Sequence, residues 1–141
     1  MTKNIMIDYN ALAAAAVDAK NRAYAPYSGF HVGAALLCAD GIMYTGCNIE
    51  SAAYSATICA ERVALAKAVS EGVRQIRAVA VSGSPSGKDG DYCYPCGVCR
   101  QMLHEFAAED LELIVAKSAE DYRVHKWADI LPFGFGPKDL A

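Results

Sequence analysis

The chain has 141 residues, 54% of them apolar and 21% charged, with a formal net charge of −3. That length suits a single domain over residues 1–141 with a real core, and the composition is not that of a disordered chain. The slight acidic excess builds no broad positive field for a long nucleic acid, and no run approaches the roughly 18 apolar residues that cross a bilayer. The N-terminus, MTKNIMIDYN, carries charge and precedes no apolar segment of signal-peptide purity. A cytoplasmic, reducing setting is therefore expected. Six cysteines in that setting are thiols or metal ligands rather than a disulfide framework.

In chain order, alanine-rich residues 8–24 predict a helix with Asp8 as its cap and Pro26 beyond its end. FHVGAALLC and IMYTGC predict a hairpin turning at Asp40-Gly41. NIESAAYSATI has no clean period and reads as loop, after which Thr57 or Ser55 would cap a second helix over 59–71, stopped by Gly72. Residues 76–82, IRAVAVS, form an apolar strand of the kind buried on both faces. A Gly/Ser/Pro/Asp-rich loop occupies 83–95. A third helix fits 96–109, with Val98, Met102, Leu103 and Phe106 on one side. Residues 111–117 and 121–127 predict two strands too close in sequence for a parallel crossover, hence antiparallel. The tail ILPFGFGP is too rich in Gly and Pro for a regular element. The economical architecture is α/β, a mixed five-stranded sheet with helices on its faces, antiparallel pairs at both ends of the order and parallel crossovers in the middle.

Cys96 and Cys99 stand three apart at the predicted start of the third helix, and Cys59 at the start of the second. A C-x-x-C at a helix start can be a redox pair. Three thiolates are also a soft ligand set suited to zinc, and a catalytic zinc keeps three protein ligands and one open position. A structural zinc would close with a fourth ligand, for which Cys93 is available. Two helix N-termini aimed at one place would favour the charged thiolates. Glu61, two residues past Cys59, could receive and redeliver a proton beside such a metal, provided Cys59 occupies an irregular first turn. Arg62 is placed to donate to Cys96 or Cys99 and offset the negative charge of the ligands. Cys38, Cys47 and Cys93 read as small buried residues. His31, His104 and His125 show no ligand pattern.

Three segments in this order, YAPYSGFHVGAALL, NIESAAYSATICAERVALAKA and YPCGVCRQMLHEF, resemble the cytidine deaminase family of small zinc enzymes. The likeness runs from about Tyr24 to Phe106 and continues more loosely to the C-terminus. It implies a three-layer α-β-α fold and hydrolytic deamination of cytidine and deoxycytidine in pyrimidine salvage. It also implies one Zn²⁺ per subunit on Cys59, Cys96 and Cys99, with Glu61 as the proton shuttle. By the same resemblance Asn48 and Glu50 bind the ribose, Phe30 packs against the pyrimidine, and Arg62 donates to the thiolates. Phe133 reaches a neighbouring subunit's site within a homotetramer. The expected partners are thus a small nucleoside and other copies of the chain, without nucleic acid or membrane. Tyr94 stands where many members have serine.

Three readings are open at this point. One is a free-nucleoside deaminase, another a deaminase of a related pyrimidine compound such as a nucleoside antibiotic, and the third a structural zinc protein. Asn48 and Glu50 could be sugar contacts or ordinary turn residues.

Overall fold

Asp8 starts the first helix, α1 (Tyr9–Ala19), from an extended conformation, its carboxylate accepting from the Ala11 N–H at 3.1 Å. The chain then tightens into a 3₁₀ turn over Lys20–Arg22, so the regular helix is shorter than the alanine-rich stretch. The computed structural model describes residues 6–86 and 88–141; residues 1–5 of the charged N-terminus and Gly87 of the predicted loop lie outside the described residues.

The hairpin is formed by β1 (Phe30–Cys38) and β2 (Met43–Cys47). Helix α2 (Ala60–Ser70) follows and ends at Gly72, whose φ of 97° only glycine adopts without strain. Strand β3 (Ile76–Pro85) runs three residues further than expected, because Gly83–Pro85 continue the pairing with Phe30–Val32. Helix α3 (Gly97–Glu105) stops four residues early: Ala107 already belongs to β4 (Ala107–Ala116), where it pairs with Ile76. The face expected for α3 is corrected as well. Leu103 is buried and Phe106 packs against the core, but Val98 and Met102 are exposed, and Cys99 takes the buried place instead. Strand β5 (Tyr122–Lys126) and a short helix α4 (Trp127–Ile130) complete the order.

The sheet runs β2-β1-β3-β4-β5. Only β3 and β4 pair in parallel; β1 is antiparallel to both β2 and β3, and β4 to β5. Both expected parallel crossovers are present: β3-α3-β4 joins neighbouring strands, and β2-α2-β3 joins strands of the same direction with β1 hydrogen-bonded between them. Because β2 and β3 point the same way, the helices that follow them start at the same end of the sheet.

Side-chain alternation sorts β3 into two faces. Ala78 and Ala80 pack beneath α1, whereas Val79 and Val81 pack beneath α2 and α3 with Leu65, Ala68 and Leu103. The result is three layers, with α1 on one side of the sheet and α2 and α3 on the other. Small residues let the helices approach closely. A Cβ on Gly33 would strike the carbonyl of Ala16 in α1, and one on Gly46 would lie 2.6 Å from the Ala64 nitrogen in α2.

Candidate active site

The common starting end of α2 and α3 brings the three cysteines together. Cys59 and Cys96 each occupy the residue before a helix, in extended conformation (φ −74°, ψ 155° and φ −69°, ψ 169°), and Cys99 lies in the first turn of α3. Neither Thr57 nor Ser55 caps α2. Thr57 instead accepts from the Ser51 N–H at 3.1 Å, and the cap position belongs to Cys59, whose side chain makes no capping bond. This supplies the irregular geometry that lets residues 59 and 61 face one centre.

The three Sγ atoms lie within 4.8 Å of one another, and those of Cys59 and Cys96 are 3.9 Å apart. Zinc–sulfur bonds of about 2.3 Å in a tetrahedron put ligand sulfurs about 3.8 Å apart. The donor set therefore fits zinc. Among the described residues this cluster comprises three donors, and Cys93 is not one of them.

Electrostatics favour a cation here. A hydrogen bond from Cys99, with help from Arg62 and Cys96, holds the Cys59 thiol down at about 5. The same bond to Cys59, then burial, pushes Cys99 upward. One proton is thus retained between two sulfurs that a divalent ion would hold as thiolates. Arg62 Nη2 donates to Cys59 Sγ at 3.5 Å, and its guanidinium is held in the charged form first by Cys59 and then by Cys99. Cys99, one of the two sulfurs expected from sequence, is thus a partner of Arg62, together with Cys59. Glu61 is only 3% exposed, and burial, followed by the charge of Cys59, raises its carboxyl above the ordinary range. A carboxyl raised in this way is suited to accepting and returning a proton.

The remaining expected residues surround this centre to different degrees. Phe30, at the start of β1, meets Gly83 and Cys93: a Cβ on Gly83 would lie 2.9 Å from the Phe30 ring and 2.8 Å from Cys93 Sγ. Asn48 is buried and braces the same strand, donating to the Phe30 carbonyl and accepting from the Val32 N–H, both at 2.9 Å. Glu50 accepts from the Ser28 hydroxyl at 2.5 Å and from the backbone N–H groups of Tyr27 and Ser28 at 3.0 and 3.1 Å. The Ser28 hydroxyl leads in holding its carboxyl below the usual range. With Tyr27, Ser28, Tyr54 and Thr57 it lines a cleft of about 350 Å³. Phe133 stands apart, its side chain wholly in solvent and its backbone at φ 55°.

Two neighbours of the site take places that the sequence reading did not give them. Cys93, read as a small buried residue, is only partly buried and feels the charges of Glu61 and Cys59, although burial is the main reason its thiol rises to about 11. Arg100 donates to the Pro95 carbonyl beside the metal loop and to the Ile130 carbonyl in the tail, both at 2.8 Å. For Cys93 the alternation in DYCYP was a usable signal; for Arg100 there was none.

Fold and site together define a zinc-dependent enzyme with a buried carboxylate beside a three-sulfur centre. Residues 6–115 match the family model for the cytidine and deoxycytidylate deaminase zinc-binding region. A cytidine deaminase of Sporosarcina psychrophila is 44% identical over 135 residues, covering 96% of both chains. The crystal structure of a cytidine deaminase from Burkholderia pseudomallei superposes with a TM-score of 0.79 at 42% identity, covering 92% of this chain and all of that one. That of the Mycobacterium tuberculosis cytidine deaminase gives 0.80 at 36%, covering 94% and 100%. The chain belongs to the cytidine and deoxycytidylate deaminase family.

Proposed function

We propose that this protein is a zinc-dependent cytidine deaminase, hydrolysing cytidine and deoxycytidine to uridine and deoxyuridine with release of ammonia. The observation that carries this is a cluster of three sulfur donors, without a fourth among the described residues, beside a buried glutamate. A purely structural site would close its coordination with protein.

In this reading Cys59, Cys96 and Cys99 hold the metal. Zinc, when bound, supplies the Lewis acidity that makes water nucleophilic at neutral pH. Glu61 takes a proton from the attacking water and delivers it to N3 of the ring, then takes the remaining proton from the new C4 hydroxyl and delivers it to the amine as the C4–N bond breaks. The C4–O bond forms in its place, so cytidine and water become uridine and ammonia. Arg62 and the two helix N-termini offset the negative charge of three thiolates. Phe30 packs against the pyrimidine. Glu50 accepts from the sugar hydroxyls, and Asn48, which keeps one amide N–H free of the β1 backbone, donates to them.

The reading extends to a cytoplasmic homotetramer serving pyrimidine salvage. Its support is the fully exposed Phe133, with Phe135 57% exposed beside it, and an apolar groove between α2 and α3 lined by Leu65, Val69, Met102 and Phe106. Apolar surface of this kind marks contact faces.

The test is ammonia release from a panel of cytidine, deoxycytidine, cytosine, adenosine and CMP, with zinc quantified in the same sample. Cytidine and deoxycytidine should be turned over in proportion to bound zinc. Glu61→Gln should keep its zinc and lose at least about 10²-fold in turnover. Near-normal turnover with zinc retained would remove Glu61 from the chemistry.

A further inference from the structure

Residues 91–95, DYCYP, cross from the end of β3 to the metal loop, and their side chains alternate. Tyr92 and Tyr94 turn toward β5, the edge of the sheet. The Tyr92 hydroxyl donates to Asp121 at 2.6 Å, and its ring is covered by Lys117 at 4.7 Å and Arg123 at 4.1 Å. The Tyr94 hydroxyl lies 2.8 Å from His125 Nε2, with the two rings 5.3 Å apart. Cys93, between them, turns the other way, against Gly83 and the Phe30 ring, within electrostatic reach of Glu61 and Cys59. Pro95 is buried and leads directly into Cys96.

We propose that Tyr92 and Tyr94 are positioning residues that lash this segment to the β5 edge and so hold Cys93 in the wall of the substrate pocket beside Phe30. A serine in place of Tyr94 could not span to His125. The wall in this chain is set by the sheet edge, through two aromatic side chains, and not by the loop's own turns. The inference rests on the pocket assignment above, since Phe30 and Glu61 define what Cys93 faces.

The test uses the zinc-loaded protein and reads the loop without turnover. Cys93 is labelled with methyl methanethiosulfonate and followed by peptide mass spectrometry. Tyr94→Phe keeps the ring and removes the hydroxyl. It should label Cys93 about fivefold faster, the change in an opening equilibrium that one lost hydrogen bond gives. KM for cytidine should rise more than kcat falls, with zinc unchanged. His125→Gln, which retains a hydrogen-bonding partner, should stay near wild type, whereas His125→Leu should behave like Tyr94→Phe. If labelling and KM in Tyr94→Phe and in the Tyr92→Phe/Tyr94→Phe double variant stay within about twofold of wild type, less than one hydrogen bond would give, the tyrosines position nothing. Zinc loss from Tyr94→Phe with unchanged labelling would likewise overturn the proposal. A zinc-loaded wild type that leaves cytidine intact would refute the deaminase reading alone, because the labelling does not depend on it.

Discussion

Cys59 and Cys38 are both partly or wholly shielded thiols, yet their surroundings drive them in opposite directions. Hydrogen bonding from Cys99 and Arg62 brings Cys59 down to about 5, and burial in β1 takes Cys38 up to about 12. Cys59→Ala should therefore lose both zinc and activity. Cys38→Ala should keep both and cost ~1 kcal/mol of packing, read by elemental analysis and chemical denaturation. Glu50 offers a pH test. Its carboxyl is held below the ordinary value of 4.5, chiefly by the Ser28 hydroxyl, so the folded chain releases this proton more readily than the unfolded one. The stability this contributes is complete above the ordinary value and is lost as pH falls through the folded one. Glu50→Gln should accordingly melt below wild type at neutral pH, with the gap closing in acid. A gap that persists unchanged into acid would mean that the carboxylate charge contributes nothing. The sulfur cluster and the buried carboxylate beside it were legible in the sequence because three cysteines at two helix starts and a nearby carboxylate are rare in combination. The hydrogen-bond partners of Glu50 were not, because Ser28 and Glu50 meet only once the chain has folded.

At the scale of elements, α2 carries Cys59, Glu61 and Arg62, and its seat on the sheet is set by one glycine. A methyl at Gly46 would lie 2.6 Å from the Ala64 nitrogen and 2.7 Å from the Ala60 carbonyl, both backbone atoms that can yield only if the helix moves. Gly46→Ala should destabilise the protein by about 1–3 kcal/mol. It should also weaken zinc retention, since the displaced helix takes Cys59 with it; melting and zinc content on one preparation check both. Most elements could be read from local pattern, the hairpin and α1 with its Asp8 cap most cleanly. What local pattern could not show was pairing at a distance. β3 extends through Pro85 because Phe30 and His31 lie opposite, and α3 yields Ala107 to the sheet because Ile76 is there to receive it.

For the whole molecule, the tail is the feature that a single chain does not explain. Gln101 donates to the Phe135 carbonyl at 2.8 Å, and Arg100 fixes Ile130, so the backbone is anchored while the Phe133 ring projects into solvent. A left-handed conformation costs a non-glycine residue on the order of 1–2 kcal/mol, and in the isolated chain the exposed ring returns nothing for it. Phe133→Ala should raise KM for cytidine by about 3- to 10-fold, the worth of an aromatic contact, and leave zinc unchanged. Steady-state kinetics paired with sedimentation velocity check this. A wild type that sediments as an active monomer would return Phe133 to its own chain or to no site.

The shared direction of β2 and β3 also bears on the order in which the protein matures. The ligands reach one point only after β3 has paired with β1, across contacts such as Phe30 with Pro85, and with β4. Such long-range pairings close late and slowly in folding. An unfolded chain has no preformed trio of thiolates, and the core cluster around Leu36, Val79 and Leu113 includes none of the three. Zinc should then be acquired by a sheet that already stands, unlike a finger domain that collapses around its ion. Chelator-stripped protein should keep its far-ultraviolet circular dichroism and a cooperative melt, and added zinc should raise the melting temperature in proportion to the logarithm of its excess over the dissociation constant. A stripped chain without cooperative melting would make the ion an organiser of the fold.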